Sequence, residues 1–372
     1  MLLNILRVRI LLSMGVGVYK FIYMRTIKIG DKLIGKSKQV FIIAEAGVNH
    51  NGKEKLALKL VDEAYEAGAD AVKFQTFEAN QVVIESAPMA EYQVKNLGIR
   101  ESQFAMIKKL ELSKNAHRAV AEHCRKRGIL FLSTPHGGFE SVDFLSKLGV
   151  PAFKIGSGDL TNLPLLAYAA KFKKPMIIST GLAKLREVKE AIRCIRDKGN
   201  HKIIVLQCTT NYPCSLDEVN LRAMPAMGKE LNVPVGYSDH TLGTHVAVMA
   251  AILGACMIEK HFTLDKKMPG PDHVASLDPG ELKEMVRQIR SVPLVLGNSL
   301  KKPAKSEKQY IPLVRKSIVS EKDIFCGEIF TKSNISIKRP GTGIAPRYFD
   351  KILGKKAKRD IKRDRLLLKN DY

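Results

Sequence analysis

Eight short apolar runs, most of them separated by segments of helical periodicity, constrain this chain more than any other feature. They are VFIIA (40–44), AVKF (71–74), ILFLS (129–133), AFKI (152–155), MIIS (176–179), IIVLQ (203–207), VPVGYS (233–238) and CMIEKH (256–261). Amphipathic stretches such as KEKLALKLVDEAYEAG (53–68) and LREVKEAIRCIRDKG (185–199) lie between them. Strands that alternate with helices build a parallel sheet. Eight such units in roughly 250 residues fit a closed (β/α)8 TIM barrel. An open doubly wound sheet is the competing architecture. The even pacing, and the lack of a GxGxxG turn after the first run, favour the barrel. The expected fold class is therefore α/β, a TIM barrel followed by a small β-rich domain.

The rhythm stops near residue 291. SVPLVLGNSLKKPAKSEK (291–308) is polar, carries Pro293 and Pro303, and reads as a linker. Residues 309–372 alternate short β-like runs with turn residues and read as a small β-rich domain, whose thin core needs something to dock on. The barrel module is expected over 28–290, with an N-terminal hairpin ahead of the first run. In the extension, 1–27, Arg7, Arg9 and Lys20 interrupt an apolar sequence. The longest uncharged run, Ile10 to Tyr19, is too short to span a membrane. A translation start at Met24, or a poorly ordered extension, is expected there rather than a targeting segment. The long irregular stretch 76–112 follows the second run, where an insertion sits over the open face of a barrel as a lid.

With 61 Lys+Arg against 37 Asp+Glu, the formal charge is +24. Either a polyanionic partner or a phosphorylated substrate with a basic surface accounts for that. Aromatic residues are only 6% and Trp is absent, so stacking platforms for single strands are scarce. There is no zinc-finger spacing, RNP-type run or basic zipper either. Neither a nucleic acid nor a membrane is expected as a partner. Cysteines 124, 194, 208, 214, 256 and 326 form no CxxC pair and read as thiols of a reducing, cytoplasmic compartment.

Gly30 to Ser37 (GDKLIGKS) matches the P-loop pattern GxxxxGK[ST]. A P-loop needs a strand before it and a helix after it to hold the phosphates. Here the strand comes after, at 40–44, so a polar hairpin turn is the reading taken. The stronger signal is positional, because polar residues at barrel strand ends point into the open mouth. In order they are Glu45 with Asn49-His50-Asn51-Gly52, Lys73 and Gln75, Ser133-Thr134, Lys154 with Gly156-Ser157-Gly158-Asp159, Ser179-Thr180-Gly181, Gln207 to Tyr212, Ser238-Asp239-His240, and Glu259-Lys260-His261. Two lysines, several hydroxyls and a Gly-Ser-Gly turn suit a phosphate. His240 and His261, on neighbouring strands, suit half of a divalent metal site open to substrate and water. Glu45, Asp159 and Glu259 are candidate proton handlers. His273, in a loop beyond the eighth strand, is within reach of a substrate, whereas His245 reads as structural.

FIIAEAGVNHNG (41–52), AVKFQTF (71–77), FLSTP (131–135), FKIGSGD (153–159), GYSDHT (236–241), IEKHFTLDKKMPGPDH (258–273) and KRPGTGI (338–344) together resemble the sialic acid (N-acetylneuraminate or nonulosonate) synthase family over about residues 28–365. The resemblance implies a TIM barrel with a C-terminal antifreeze-like (SAF) domain, in a dimer whose small domains exchange to cover the partners' barrel mouths. It implies condensation of phosphoenolpyruvate with open-chain N-acetylmannosamine, releasing phosphate by C–O cleavage. A legionaminic acid synthase acting on 2,4-diacetamido-2,4,6-trideoxymannose is the alternative, because GDLTNLPLL (158–166) also occurs in relatives of that kind. Lys73, Thr134, Lys154, Ser157, Ser179 and Tyr212 would bind phosphoenolpyruvate. His240 and His261 would bind Mn²⁺ or Mg²⁺. Gln75 and Asp272 would bind sugar hydroxyls, and the partner's copy of Arg339 would meet the N-acyl end. Glu45, Asp159 and Glu259 would sit near the reacting atoms. Some bacterial members have Glu where this chain has Asp159, and Asn where it has Thr210. A Schiff-base aldolase using Lys154 and a sugar-phosphate binding module are the rival readings of the same ring.

Overall fold

The computed structural model of the protein describes residues 26–372. The expectation for the extension 1–27 lies outside them except for its last two residues. Strands β1 (Ile27–Ile29) and β2 (Lys32–Ile34) form an antiparallel hairpin. Eight parallel strands follow: β3 (Phe41–Gly47), β4 (Ala71–Thr76), β5 (Leu130–Pro135), β6 (Phe153–Ile155), β7 (Met176–Ser179), β8 (Ile203–Cys208), β9 (Val235–Asp239) and β10 (Met257–His261). Their order is β5-β4-β3-β10-β9-β8-β7-β6. The two ends of that series, β5 and β6, lie side by side, so the sheet wraps into a TIM-like barrel. Each apolar run of the sequence forms one of these strands.

Period-2 alternation divides every strand between two environments. One set of side chains, including Ile42, Val72, Phe74, Phe153, Ile178, Val205 and Tyr237, faces the surrounding helices. The helix Leu185–Asp197 shows the complementary pattern, burying Val188, Ala191, Ile192 and Ile195 along one stripe. The other set points into the barrel, and its lower layer is apolar: Ile43, Ala71, Leu132, Ala152, Ile177, Ile204, Leu206 and Met257. Ile27, Ile29 and Ile34 of the β1–β2 hairpin join that layer and seal the bottom of the barrel. The P-loop-like string is thus the turn and second strand of an apolar plug. Arg290, on the last barrel helix, bonds the Val40 carbonyl and Asp70 Oδ2, which itself accepts from the Ile42 amide at 2.8 Å. This fastens the last helix to the first strands.

The described chain divides into two compact units, one ending at Gly297 and one beginning at Asn298. The helix Pro279–Leu296 continues through Pro293, so residues 291–296 are helical and not linker. A proline in the final turn forfeits one ladder bond and leaves the rest of the helix intact. The second unit carries a small antiparallel sheet, β11 (Ser317–Ser320) with β12 (Ile335–Lys338). Its own core comprises Ile318, Ile324, Phe330, Ile335, Ile344, Ile352, Ile361 and Leu367.

Candidate active site

Above the apolar layer the inward side chains become polar, and a cavity of about 380 Å³ opens at the carboxyl ends of the strands. Glu45, Lys73, Gln75, Thr134, Lys154, Ser157, Ser179, Tyr212, His240, Glu259, His261 and Asp272 all line it. The strands deliver Glu45, Lys73, Gln75, Thr134, Lys154, Ser179, Glu259 and His261 to one place because each sits two or four residues beyond an apolar inward neighbour, as Lys73 does after Ala71 and Glu259 after Met257, while Ser157, Tyr212 and Asp272 come from the loops that follow.

At the cavity floor four buried charges alternate in sign. Lys73 Nζ lies 2.7 Å from Glu45 Oε2 and 3.8 Å from Glu259 Oε2, while Lys154 Nζ lies 3.4 Å from Glu259 Oε1. Lys73 also donates to Thr134 Oγ1 at 3.2 Å, Lys154 to Ser179 Oγ at 2.7 Å, and Ser238 Oγ to Glu259 Oε1 at 3.0 Å. Burial alone would neutralise every member. For Glu259, burial opposes ionisation, but Lys154 and Lys73 outweigh it and hold the carboxyl below the usual range. For Glu45, burial wins over Lys73, and with Glu259 nearby its pKa is pushed up to about 7. Lys73 gains more from the two carboxylates than it loses by burial and stays above the ordinary lysine value. Lys154 is pulled down, by burial first. Two carboxyls side by side therefore differ in readiness to hold a proton, the arrangement that separates an acid–base group from a permanent charge.

The hydroxyls of Ser157 and Thr210 meet at Gly181. Its amide donates to Ser157 Oγ at 3.0 Å. A Cβ there would stand 2.8 Å from Ser157 Oγ and collide with Thr210 Oγ1, a buried atom that has no hydrogen-bond partner among the described residues. Only glycine lets the two loops close to this distance. Directed donors and buried lysines at one end of the cavity suit an anion such as a phosphate.

His240 and His261 stand at the other side, with ring centroids 5.6 Å apart. The Tyr212 ring lies 4.0 Å from that of His240 and meets His261 edge-on at 5.5 Å. His240 Nδ1 lies 2.7 Å from the Thr209 carbonyl, which only accepts, so Nδ1 carries a proton. Burial and the neighbouring His240 hold His261 well below the usual histidine range, hence neutral, and its buried Nδ1 has no hydrogen-bond partner among the described residues. Asp272, 4.0 Å from that nitrogen, is pushed up to about 6 by burial. Burial opposes protonation of His240, but Cys208 and the Thr209 carbonyl outweigh it and hold its pKa above the ordinary histidine value, so a divalent metal, which needs the neutral ring, would displace that proton. Among the described residues no third His, Cys, Asp or Glu joins the two imidazoles in a cluster able to hold a metal, so water or substrate would complete the coordination.

Some expected residues lie elsewhere. Asp159 does not line the cavity; it stands behind His136, whose Nδ1 is 3.4 Å from its Oδ2, because a 3-10 turn at Ser157–Asp159 carries it past the rim. Arg339 is exposed on the second unit. Asp239 and Lys260, expected in the polar ring by position, face outward and do not line the cavity. His273 does not reach the cavity: its Nδ1 lies 2.6 Å from Thr263 Oγ1 and its Nε2 lies 3.2 Å from Asn51 Oδ1. The insertion 76–112 does wall the cavity, through three short helices, Ala79–Val82, Glu91–Leu97 and Gln103–Lys108. They contribute Tyr92, Gln93, Met106 and Ile107, which no sequence pattern marks as site residues. Cys208 and Ser238 also line the cavity without an expected role, although period two reveals them, since each follows an inward residue at that spacing.

A search of protein families matches the NeuB family model to residues 60–301 and the SAF domain model to residues 315–372. The N,N'-diacetyllegionaminic acid synthase of Campylobacter jejuni is 49% identical, over 89% of this chain and 99% of its own length. The enzyme of the same name from Legionella pneumophila is 46% identical, over 91% and 96%. The crystal structure of an N-acetylneuraminic acid (sialic acid) synthetase from Leptospira borgpetersenii, in complex with citrate, superposes with a TM-score of 0.68 at 33% identity, over 77% of this chain and 95% of that one. A barrel with this polar mouth, followed by an SAF domain, places the chain in the NeuB family of nonulosonic acid synthases.

Proposed function

We propose that this protein condenses phosphoenolpyruvate with the open-chain form of an N-acylated mannosamine-type sugar, giving a nonulosonic acid and phosphate. The observation that carries the reading is one buried cavity that joins two lysines, two carboxylates of unequal acidity and two imidazoles from neighbouring strands. Lys73 and Lys154, with the hydroxyls of Thr134, Ser157 and Ser179, hold the phosphate and carboxylate of phosphoenolpyruvate, and Tyr212 meets the same substrate from its place against the two imidazoles; this is positioning catalysis. His240 and His261 hold a divalent cation, Mn²⁺ or Mg²⁺, which when bound acts as a Lewis acid on the sugar aldehyde. Gln75 and Asp272 take sugar hydroxyls. Carbon 3 of phosphoenolpyruvate attacks the aldehyde carbon and positive charge develops at carbon 2. The ionised Glu259 stabilises that charge. Glu45 accepts a proton from the water that adds at carbon 2, and the tetrahedral intermediate expels phosphate by C–O cleavage.

The sequence motifs put N-acetylmannosamine first and the diacetamido trideoxy sugar second. The likeness to two N,N'-diacetyllegionaminic acid synthases supports the reverse order. N-acetylmannosamine remains the second reading, supported by the sialic acid synthetase structure. A panel of both sugars with phosphoenolpyruvate tests the proposal, read by phosphate release and product mass. Turnover of neither would overturn it. The homodimer, in which the partner's copy of Arg339 meets the N-acyl group, belongs to the same proposal, and light scattering on the eluting protein tests it. A cytoplasmic location is also proposed, supported by six free thiols. No described helix is long and apolar enough to cross a membrane.

The assignment of Glu45 has a pH consequence. It works as a base only when ionised, so kcat/KM is expected to rise with pH through a midpoint of about 7. Glu45→Gln is expected to lower kcat by about a hundredfold and to remove that limb. A variant that keeps the limb would show that another group titrates.

A further inference from the structure

Strand alternation sends Ser238, His240, Glu259 and His261 into the cavity and turns Asp239 and Lys260 away from it. These two meet behind the wall. Lys260 Nζ lies 2.8 Å from Asp239 Oδ2, and both side chains are 0% exposed. They are direct register partners on β9 and β10, one step along from the Glu259–Ser238 pair and one step before both imidazoles. The other carboxylate oxygen, Asp239 Oδ1, accepts from the Thr241 amide at 2.9 Å and from its hydroxyl at 2.8 Å. Lys260 Nζ also donates to the Thr241 carbonyl. The residue that follows His240 is therefore held at its amide, its carbonyl and its side chain by one buried ion pair.

Packing does not explain this arrangement. Both charges lose their hydration, and a well-packed apolar pair of similar volume would stabilise such a site as well or better. What charges provide and apolar groups do not is direction. Every bond of this cluster fixes either the spacing of β9 and β10 or the backbone on the far side of His240. The two strand ends so fixed carry the two imidazoles, and a metal bound by only two protein ligands depends closely on their separation.

We propose that Asp239, Lys260 and Thr241 form a positioning clip that sets the distance and orientation between His240 and His261 without touching substrate. The proposal rests on the reading of those histidines as the metal ligands. The test is Mn²⁺ alone, titrated into the purified full chain with free Mn²⁺ followed by electron paramagnetic resonance. The double variant Asp239→Asn/Lys260→Met removes both charges and keeps an acceptor for Thr241. It is expected to retain Tm within a few degrees and to bind Mn²⁺ about 10- to 100-fold more weakly, the range for loss of outer-shell support. Most of kcat should return at saturating Mn²⁺, which a residue taking part in the chemistry would not allow. Thr241→Val is the milder variant, near-isosteric and without charge change, and should weaken binding by about threefold. It decides the matter if the double variant fails to fold. Wild-type affinity in a folded double variant, or in Thr241→Val, overturns the clip alone. A wild-type protein that binds no Mn²⁺ overturns the reading of the histidines, and the clip with it.

Discussion

Replacing Lys154 with methionine is expected to lower kcat/KM for phosphoenolpyruvate by about a thousandfold and to make the fold sensitive to alkaline pH. The first effect follows from its place at the anion end, where Nζ reaches Ser179 Oγ at 2.7 Å and Glu259 Oε1 at 3.4 Å. Methionine fills the space and supplies no donor. The second effect follows from the charge balance. Lys73, Lys154, Glu45 and Glu259 sum to zero when all are ionised, and removing one lysine leaves an uncompensated negative charge in a buried place. Glu45 is the first to answer, since burial already pushes its pKa from 4.5 to about 7. In the variant it rises further. A carboxyl whose folded pKa exceeds its unfolded value contributes stability in full below the unfolded value and loses it as pH rises through the folded one. Thermal unfolding between about pH 6 and about pH 9 should therefore show a steeper fall in Tm than the wild type. Identical Tm curves would mean that Lys154 does not carry the carboxylates.

His240→Ala is the second large effect, with loss of Mn²⁺ or Mg²⁺ binding and about a thousandfold of kcat at ordinary metal concentration. The barrel should survive. The ring lies at the mouth, and its polar partner, the Thr209 carbonyl, gains access to water when the ring is cut away. Far-UV circular dichroism separates loss of metal from loss of fold. Full activity of the variant in chelator would remove the metal from the mechanism.

The strands are legible because each apolar run is short and bounded by turn residues, and most of the site follows from their ends. Lys73, Lys154, Glu45 and Glu259 need only the period of two. The same period, applied strictly, also places Asp239 and Lys260 behind the wall; counting polarity at strand ends without it puts them in the ring. His273 escapes the pattern for a different reason. The loop after β10 folds back so that Thr263, ten residues away, and Asn51, over two hundred residues away, capture its ring, and no local pattern encodes the second contact. The lid helices are four to seven residues long, too short for periodicity to show. The helix through Pro293 shows the reverse failure, a local breaker overruled by the packing of Met285, Val286, Ile289 and Val292.

The central claim is that this cavity joins carbon 3 of phosphoenolpyruvate to a sugar aldehyde and releases phosphate by breaking the bond between carbon 2 and oxygen. Phosphoenolpyruvate labelled with oxygen-18 at the bridging position tests it directly, with the diacetamido sugar as acceptor and mass spectrometry of both products. The label is expected to leave entirely with phosphate, while the oxygen at carbon 2 of the nonulosonic acid comes from water. Label retained in the sugar acid would mean cleavage between phosphorus and oxygen, and would contradict the proposed roles of Glu45 and the added water.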